Sequence, residues 1–130
     1  MCIRDSVLRN SLAGKRKSIV THAPSFEMVD IYAKHYDGIV DSVEWLEGDF
    51  PLTELVDRID SNTAIVVLTT PNNPTGGSIS AETILEINKA AKTVGAKLLV
   101  DNAYIEFADD DPTQKPVSYT HLTLPTICSV

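Results

Sequence analysis

The run Ala64-Ile65-Val66-Val67-Leu68, the loop Pro71-Asn72-Asn73-Pro74-Thr75-Gly76-Gly77 and the later run Lys97-Leu98-Leu99-Val100-Asp101 together decide the fold. The apolar runs lack polar alternation, as expected of strands covered on both faces. Between them Ile84, Ile87, Ala91 and Val94 recur at helical spacing, with Ser80 placed to cap the first turn and Gly95 to end the last. Strand, polar loop, crossover helix and second strand make a parallel pair about 4.8 Å apart, and both strands point their carboxyl ends to one edge. Asn73 and Asp101 are therefore predicted to meet there. In open α/β sheets that edge is where ligands bind, so an amide and a carboxylate converge on a predicted pocket.

Upstream, Val7 to Leu12 reads as the end of a helix with Gly14 as terminator, and Ser18-Ile19-Val20-Thr21-His22 as a short strand. Pro24-Ser25 then opens a helix: Ser25 is the expected N-cap, Glu27 sits in the first turn, and Met28, Val29, Tyr32, Ala33 and Tyr36 keep helical spacing up to Gly38. Ile39 to Val43 reads as a second strand, Leu52 to Ile59 as a short helix after Asp49-Phe50-Pro51, and Asp60-Ser61-Asn62 as the loop before the central strand. Beyond Asp101 the chain passes through Asn102-Ala103-Tyr104-Ile105-Glu106-Phe107 into Asp109-Asp110-Asp111-Pro112, an expected solvated loop.

With 130 residues and 43% apolar side chains the chain can bury a core, and its formal charge of −7 argues against a nucleic-acid or anionic-membrane partner. The one basic run, Lys15-Arg16-Lys17, reads as a solvated helix end. No apolar stretch approaches the roughly 20 residues that span a bilayer, and the start lacks a basic segment followed by an apolar one; a cytoplasmic location is expected.

The two ends stand apart. Met1-Cys2-Ile3-Arg4-Asp5 back-translates as ATG TGT ATA AGA GAC, whose reverse complement reads Val-Ser-Tyr-Thr-His, the sequence of Val117 to His121. That word resembles a transposon mosaic end used in sequencing-library preparation, so residues 1–6 and 117–130 are expected to be adaptor-derived. Residues 7–116 then form an internal piece of a longer protein. Cys2 and Cys128 both fall in the ends, so the cysteine count carries no reading of redox compartment. The net charge is unaffected, because Arg4 and Asp5 cancel and the tail from Val117 has no charged side chain.

Alone, Asn73 and Asp101 are weak signals, since loop Asn residues form turns and strand-end Asp residues cap helices. The complete words say more. Pro71-Asn72-Asn73-Pro74-Thr75-Gly76, followed about 25 residues later by Val100-Asp101-Asn102-Ala103-Tyr104-Ile105-Glu106-Phe107, resembles the class I/II aminotransferases of pyridoxal-phosphate fold type I. The second word is most similar to the histidinol-phosphate aminotransferase branch, and Pro24-Ser25-Phe26 adds a third match. The resemblance implies a three-layer α/β architecture with a mostly parallel sheet, part of the large domain, and a pyridoxal 5'-phosphate cofactor. It implies that Asp101 faces the pyridine nitrogen, that Asn73 and Tyr104 donate to the phenolic oxygen, and that Phe26 stacks on the ring. Asn72 reads as a turn former, and Asn73-Pro74 as a site for a cis peptide.

Residue types alone leave other roles open: Phe26 as a helix-start core residue and Tyr104 as a helix-face core residue. His22 and His35 lack a partner at metal-ligand spacing and read as structural; no metal site, calcium loop, Gly-x-Gly-x-x-Gly loop or nucleophile elbow is present. The sequence departs from the family at Asn102, where Glu is common. The family's Schiff-base lysine, carboxylate-binding arginine and phosphate-binding turn do not map onto it, and Lys89, Lys92 and Lys97 lie on the crossover helix or at a strand start. No catalytic residue is therefore assigned within the chain. The implied activity is transfer of an amino group between an amino acid, with histidinol phosphate first, and a 2-oxo acid by an intact homodimer, the fragment itself being inactive. The rivals are a lyase or decarboxylase on the same fold, such as threonine-phosphate decarboxylase, and a non-catalytic aminotransferase-like regulatory domain.

Overall fold

The computed structural model describes residues 3–102 and 122–124. Among these residues nine elements follow in order: α1 (Ile3–Leu12), β1 (Ser18–Ala23), α2 (Met28–His35), β2 (Ile39–Glu44), α3 (Leu52–Asp57), β3 (Thr63–Thr69), α4 (Ala81–Val94), β4 (Lys97–Asp101) and β5 (Leu122–Leu124). The strands form one parallel sheet in the order β2-β1-β3-β4-β5. β5 lies in the stretch set aside from the sequence reading and pairs with β4.

Two apolar layers sandwich the sheet. On one face Leu8 and Leu12 of α1 and Ala33 of α2 pack on Ile19, Ile65, Val67 and Leu99. On the other, Leu55 of α3 and Ile84, Ile87 and Ala91 of α4 pack on Val20, Val66, Leu68, Leu98 and Val100. Successive residues of a strand face opposite layers, which is why β3 is buried along its whole length and carries no polar alternation. The result is the three-layer α/β architecture, with a parallel sheet among the described residues.

Local chemistry explains several boundaries. Ser80 Oγ accepts the Thr83 N–H at 3.2 Å and caps α4, and Gly95 ends that helix at φ +72°. Lys17 Nζ donates to the Leu12 carbonyl at 2.6 Å, and the Arg16 guanidinium lies beside Gly95, so two residues of the basic run serve helix ends. Arg58, just past α3, pairs with Asp41 on the edge strand β2 and with Glu54.

One boundary differs from the sequence reading. α2 starts at Met28, not at Ser25; Glu27 takes the cap position without a side-chain hydrogen bond. Ser25 Oγ is engaged elsewhere, donating to Thr69 Oγ1 at 3.1 Å. A partner on a neighbouring strand end competes with the cap role, and residues 24–27 stay outside the helix.

Candidate functional site

Direction of crossover builds the site. β1 leads through α2 to β2 on one side of it, whereas β3 leads through α4 to β4 on the other, and the two helices lie on opposite faces of the sheet. The loops after β1 and β3 therefore diverge, and a crevice opens at their carboxyl ends, the topological switch point of the sheet. A cavity of about 370 Å³ lies there, lined by residues 24–27 of the first loop, by Met28 at the start of α2 and by Asn73 and Pro74 of the second loop. Its volume falls within the range of small-molecule sites. A larger groove of about 570 Å³ runs along Ile31 to Tyr36, toward the end of α2 that returns to the opposite sheet edge.

The structure thus brings Phe26 and Asn73 together in one cavity. Asp101 closes β4 at the same edge, in register with Thr69 and only 4% exposed, but it is not among the walls of that cavity. Tyr104 lies outside the described residues. The peptide bond between Asn73 and Pro74 is cis, as are Ala23-Pro24 and Thr70-Pro71.

Beneath the cavity the second loop is tied down at several points. The Thr70 N–H donates to the Asp101 carbonyl at 3.0 Å, and Thr70 Oγ1 accepts the Ile79 N–H at 2.9 Å. Asn72 is buried; its N–H donates to the Gly77 carbonyl at 2.8 Å and its carbonyl accepts the Gly76 N–H at 2.7 Å. It forms the turn its sequence position suggested. Its side chain does more: Nδ2 donates to the Pro24 carbonyl and to Thr75 Oγ1, each at 2.8 Å.

Behind the loop sits an aromatic group that sequence periodicity did not single out. Trp45 donates from Nε1 to the Gly48 carbonyl at 3.0 Å, and its ring edge faces His22 and Phe50. A Cβ on Gly77 would stand 2.6 Å from two carbons of that ring, so only glycine lets the loop approach this closely. His22, 1% exposed, accepts the Thr69 N–H through Nε2 at 3.1 Å. Its burial lowers its pKa from 6.5 to about 4, and at neutral pH it is an uncharged brace.

The chemistry of this edge suits a flat, charged aromatic ligand. Phe26 and Asn73 line the cavity with an aromatic side chain and a neutral amide, and Asp101 places a buried carboxyl group at the neighbouring strand end. These groups fit a pyridine ring with an ionisable nitrogen and a phenolic oxygen.

Comparison with known proteins points the same way. The family described as "Aminotransferase class I and II" matches residues 5–126. The chain is similar to a histidinol-phosphate aminotransferase of Clostridium novyi (strain NT), 36% identical over 107 residues that make up 80% of this chain and 29% of that one. Among solved structures, the histidinol-phosphate aminotransferase from Clostridium acetobutylicum superposes with a TM-score of 0.69 at 25% identity, covering 85% of this chain and 33% of the other. Cystalysin from Treponema denticola, which contains a pyridoxal 5'-phosphate cofactor, shares the fold with a TM-score of 0.65 at 16% identity, over 79% of this chain and 28% of its own. The chain spans about 30% of the length of the curated relatives it matches.

Proposed function

The chain belongs to the class I and II aminotransferase family, whose cofactor is pyridoxal 5'-phosphate, and from that premise we propose that residues 7–116 are the middle of the large domain of a transaminase. The intact protein would pass an amino group between an amino acid and a 2-oxo acid. The observation that carries this is the switch-point cavity walled by Phe26 and Asn73, with the Asp101 carboxylate buried at the neighbouring strand end.

The residues present have separable tasks. Asp101 would hold a proton on the ring nitrogen: a carboxylate and a cation about 4 Å apart at an effective dielectric of about 20 attract by on the order of 4 kcal/mol, or about three pKa units. Asn73 would donate to the phenolic oxygen, with Tyr104 as second donor, and Phe26 would cover one ring face and keep water from it. When bound, the cofactor supplies the electron sink for the pair released as the substrate's α-proton leaves. His22, Trp45 and Thr70 brace the strand ends from which these groups project.

Histidinol phosphate, with 2-oxoglutarate as acceptor, is the first substrate, supported by the names of the curated relatives at 31–36% identity. A cytoplasmic homodimer is the proposed assembly. Among the described residues no helix is long and apolar enough to cross a membrane. Residues 1–6 and 117–130 are proposed to be adaptor-derived, and reading the genomic locus on both sides tests this.

The function is tested in the full-length protein by mixing it with pyridoxal phosphate, histidinol phosphate and 2-oxoglutarate and following glutamate. Glutamate formation supports the reading. Release of ammonia or carbon dioxide without amino transfer replaces it with the lyase or decarboxylase reading. Turnover by the isolated 130-residue chain would overturn the assignment of the Schiff-base lysine to a segment beyond it.

A further inference from the structure

We propose that Asn72 is a positioning residue whose carboxamide sets the spacing between the loop carrying Phe26 and the loop carrying Asn73. The proposal rests on the function above and adds to it the device that holds the two sides of the cofactor cavity together.

The reason a device is needed lies in the topology. At the switch point the two loops leave neighbouring strands for opposite faces, so no shared secondary structure spans the crevice. Side chains must bridge it. Among the described residues the Ser25–Thr69 hydroxyl pair at 3.1 Å and the bond from Asn72 Nδ2 to the Pro24 carbonyl at 2.8 Å do so, the latter across 48 residues of sequence.

The second contact has the better geometry for the task. The Pro24 carbonyl can only accept, so Nδ2 must face it, and the amide cannot be flipped. The other Nδ2 hydrogen goes to Thr75 Oγ1 at 2.8 Å, within the loop that presents Asn73. One planar group thus donates to both sides of the crevice. Phe26 lies two residues beyond Pro24, and Asn73 directly follows Asn72. Asn72 is 3% exposed, and its Oδ1 has no hydrogen-bond partner among the described residues. Burying an acceptor this way is unfavourable, which a turn former at the surface would avoid; the placement is dictated by the two Nδ2 contacts.

The test uses the full-length protein with Asn72→Ala, Asn72→Ser and, as a control confined to one loop, Thr75→Val. In cofactor-free protein, amide hydrogen exchange is followed at Val29 and Ile31, whose N–H groups close the turn after Phe26, and at Gly76 and Ile79 in the second loop. Asn72→Ala is expected to speed exchange about tenfold in both loops, and Thr75→Val in the second alone. Asn72→Ser keeps one donor, gives the same pattern at smaller amplitude, and serves if Asn72→Ala fails to fold. In protein with pyridoxal phosphate, Asn72→Ala is expected to weaken cofactor binding about tenfold and to shift the pH titration of its visible absorption in the same direction as expected for Asn73→Ala. The double variant should add little to Asn73→Ala alone, because both act on the same contact. Exchange confined to the second loop, or a cofactor titration left unmoved while stability falls, overturns the proposal. Wild-type protein that binds no pyridoxal phosphate overturns the function instead, and the exchange measurement still decides whether Asn72 couples the loops.

Discussion

His22 Nε2 lies 3.1 Å from the backbone nitrogen of Thr69 and accepts its hydrogen, joining the carboxyl ends of β1 and β3 through a side chain that is 1% exposed. An imidazole nitrogen that accepts an N–H carries no proton, so the ring is neutral with its hydrogen on Nδ1. Trp45 and Phe50 meet the ring edge-on at centroid distances of 5.4 and 5.7 Å and keep water away.

Acid should therefore weaken the fold through His22. Burial lowers its pKa from 6.5 to about 4, so between these values the unfolded chain binds a proton that the folded chain refuses. Stability is then highest above pH 6.5 and falls as pH drops toward 4, by about 3 kcal/mol in all if His22 acts alone. Urea denaturation at pH 7 and pH 4.5 measures the slope. His22→Gln, which can still accept the Thr69 N–H, should flatten it between those values; an unchanged slope in that variant would assign the acid sensitivity to other groups.

Gly77→Ala should disturb the second loop from behind. The added methyl would sit 2.6 Å from the Trp45 ring, which its Nε1–H bond to Gly48 holds in place, so the loop itself must shift. Overpacking of this kind costs about 1–3 kcal/mol. Trp45→Phe, by giving room, should recover part of the loss in the double variant, and thermal melts of the four proteins complete the cycle. Strictly additive effects would show that Gly77 and Trp45 do not press on one another.

How far the sequence could be read follows from these same residues. β3, α4 and β4 were legible because an unbroken apolar run and a 3.6-residue stripe each bury a predictable face, and parallel pairing then carried Asn73 and Asp101 to one edge. Ser25 misled because a cap signal weighs only local partners, and its hydroxyl found Thr69 on another strand. Asn72 could be read as turn but not as tether, since the direction of a loop side chain has no periodicity. Trp45 against Gly77, 32 residues apart in sequence, left no trace in either local pattern. Tyr104 lies outside the described residues, so the second phenolic-oxygen donor remains part of the proposal.

Gly95→Ala should be costly out of proportion to its exposure. φ of +72° is left-handed, which costs an alanine about 1 kcal/mol, and the new Cβ would come within 3.3 Å of Arg16 Nη1. The guanidinium can swing away, so the backbone term should dominate. Gly95→Asn, which tolerates that conformation better, should lose less; equal losses in denaturant midpoint for the two variants would point to crowding at Arg16 instead.

Asp101→Asn separates the electrostatic role from a structural one by its effect on two forms of the protein. Asparagine keeps the size of the buried side chain and removes the charge. If the carboxylate serves to hold a proton on a ring nitrogen, losing an interaction on the order of 4 kcal/mol should lower turnover of the full-length enzyme by about a thousandfold. In the cofactor-free protein there is no ring nitrogen for the side chain to act on, so a role confined to the cofactor leaves the melting temperature close to that of the wild type. A carboxylate needed only to fasten the end of β4 would do the reverse: the cofactor-free melting temperature would fall, and turnover would fall only as far as the folded fraction. Measuring both in Asp101→Asn, with Asp101→Glu to show whether charge restored at a longer reach recovers part of the rate, tells the two roles apart.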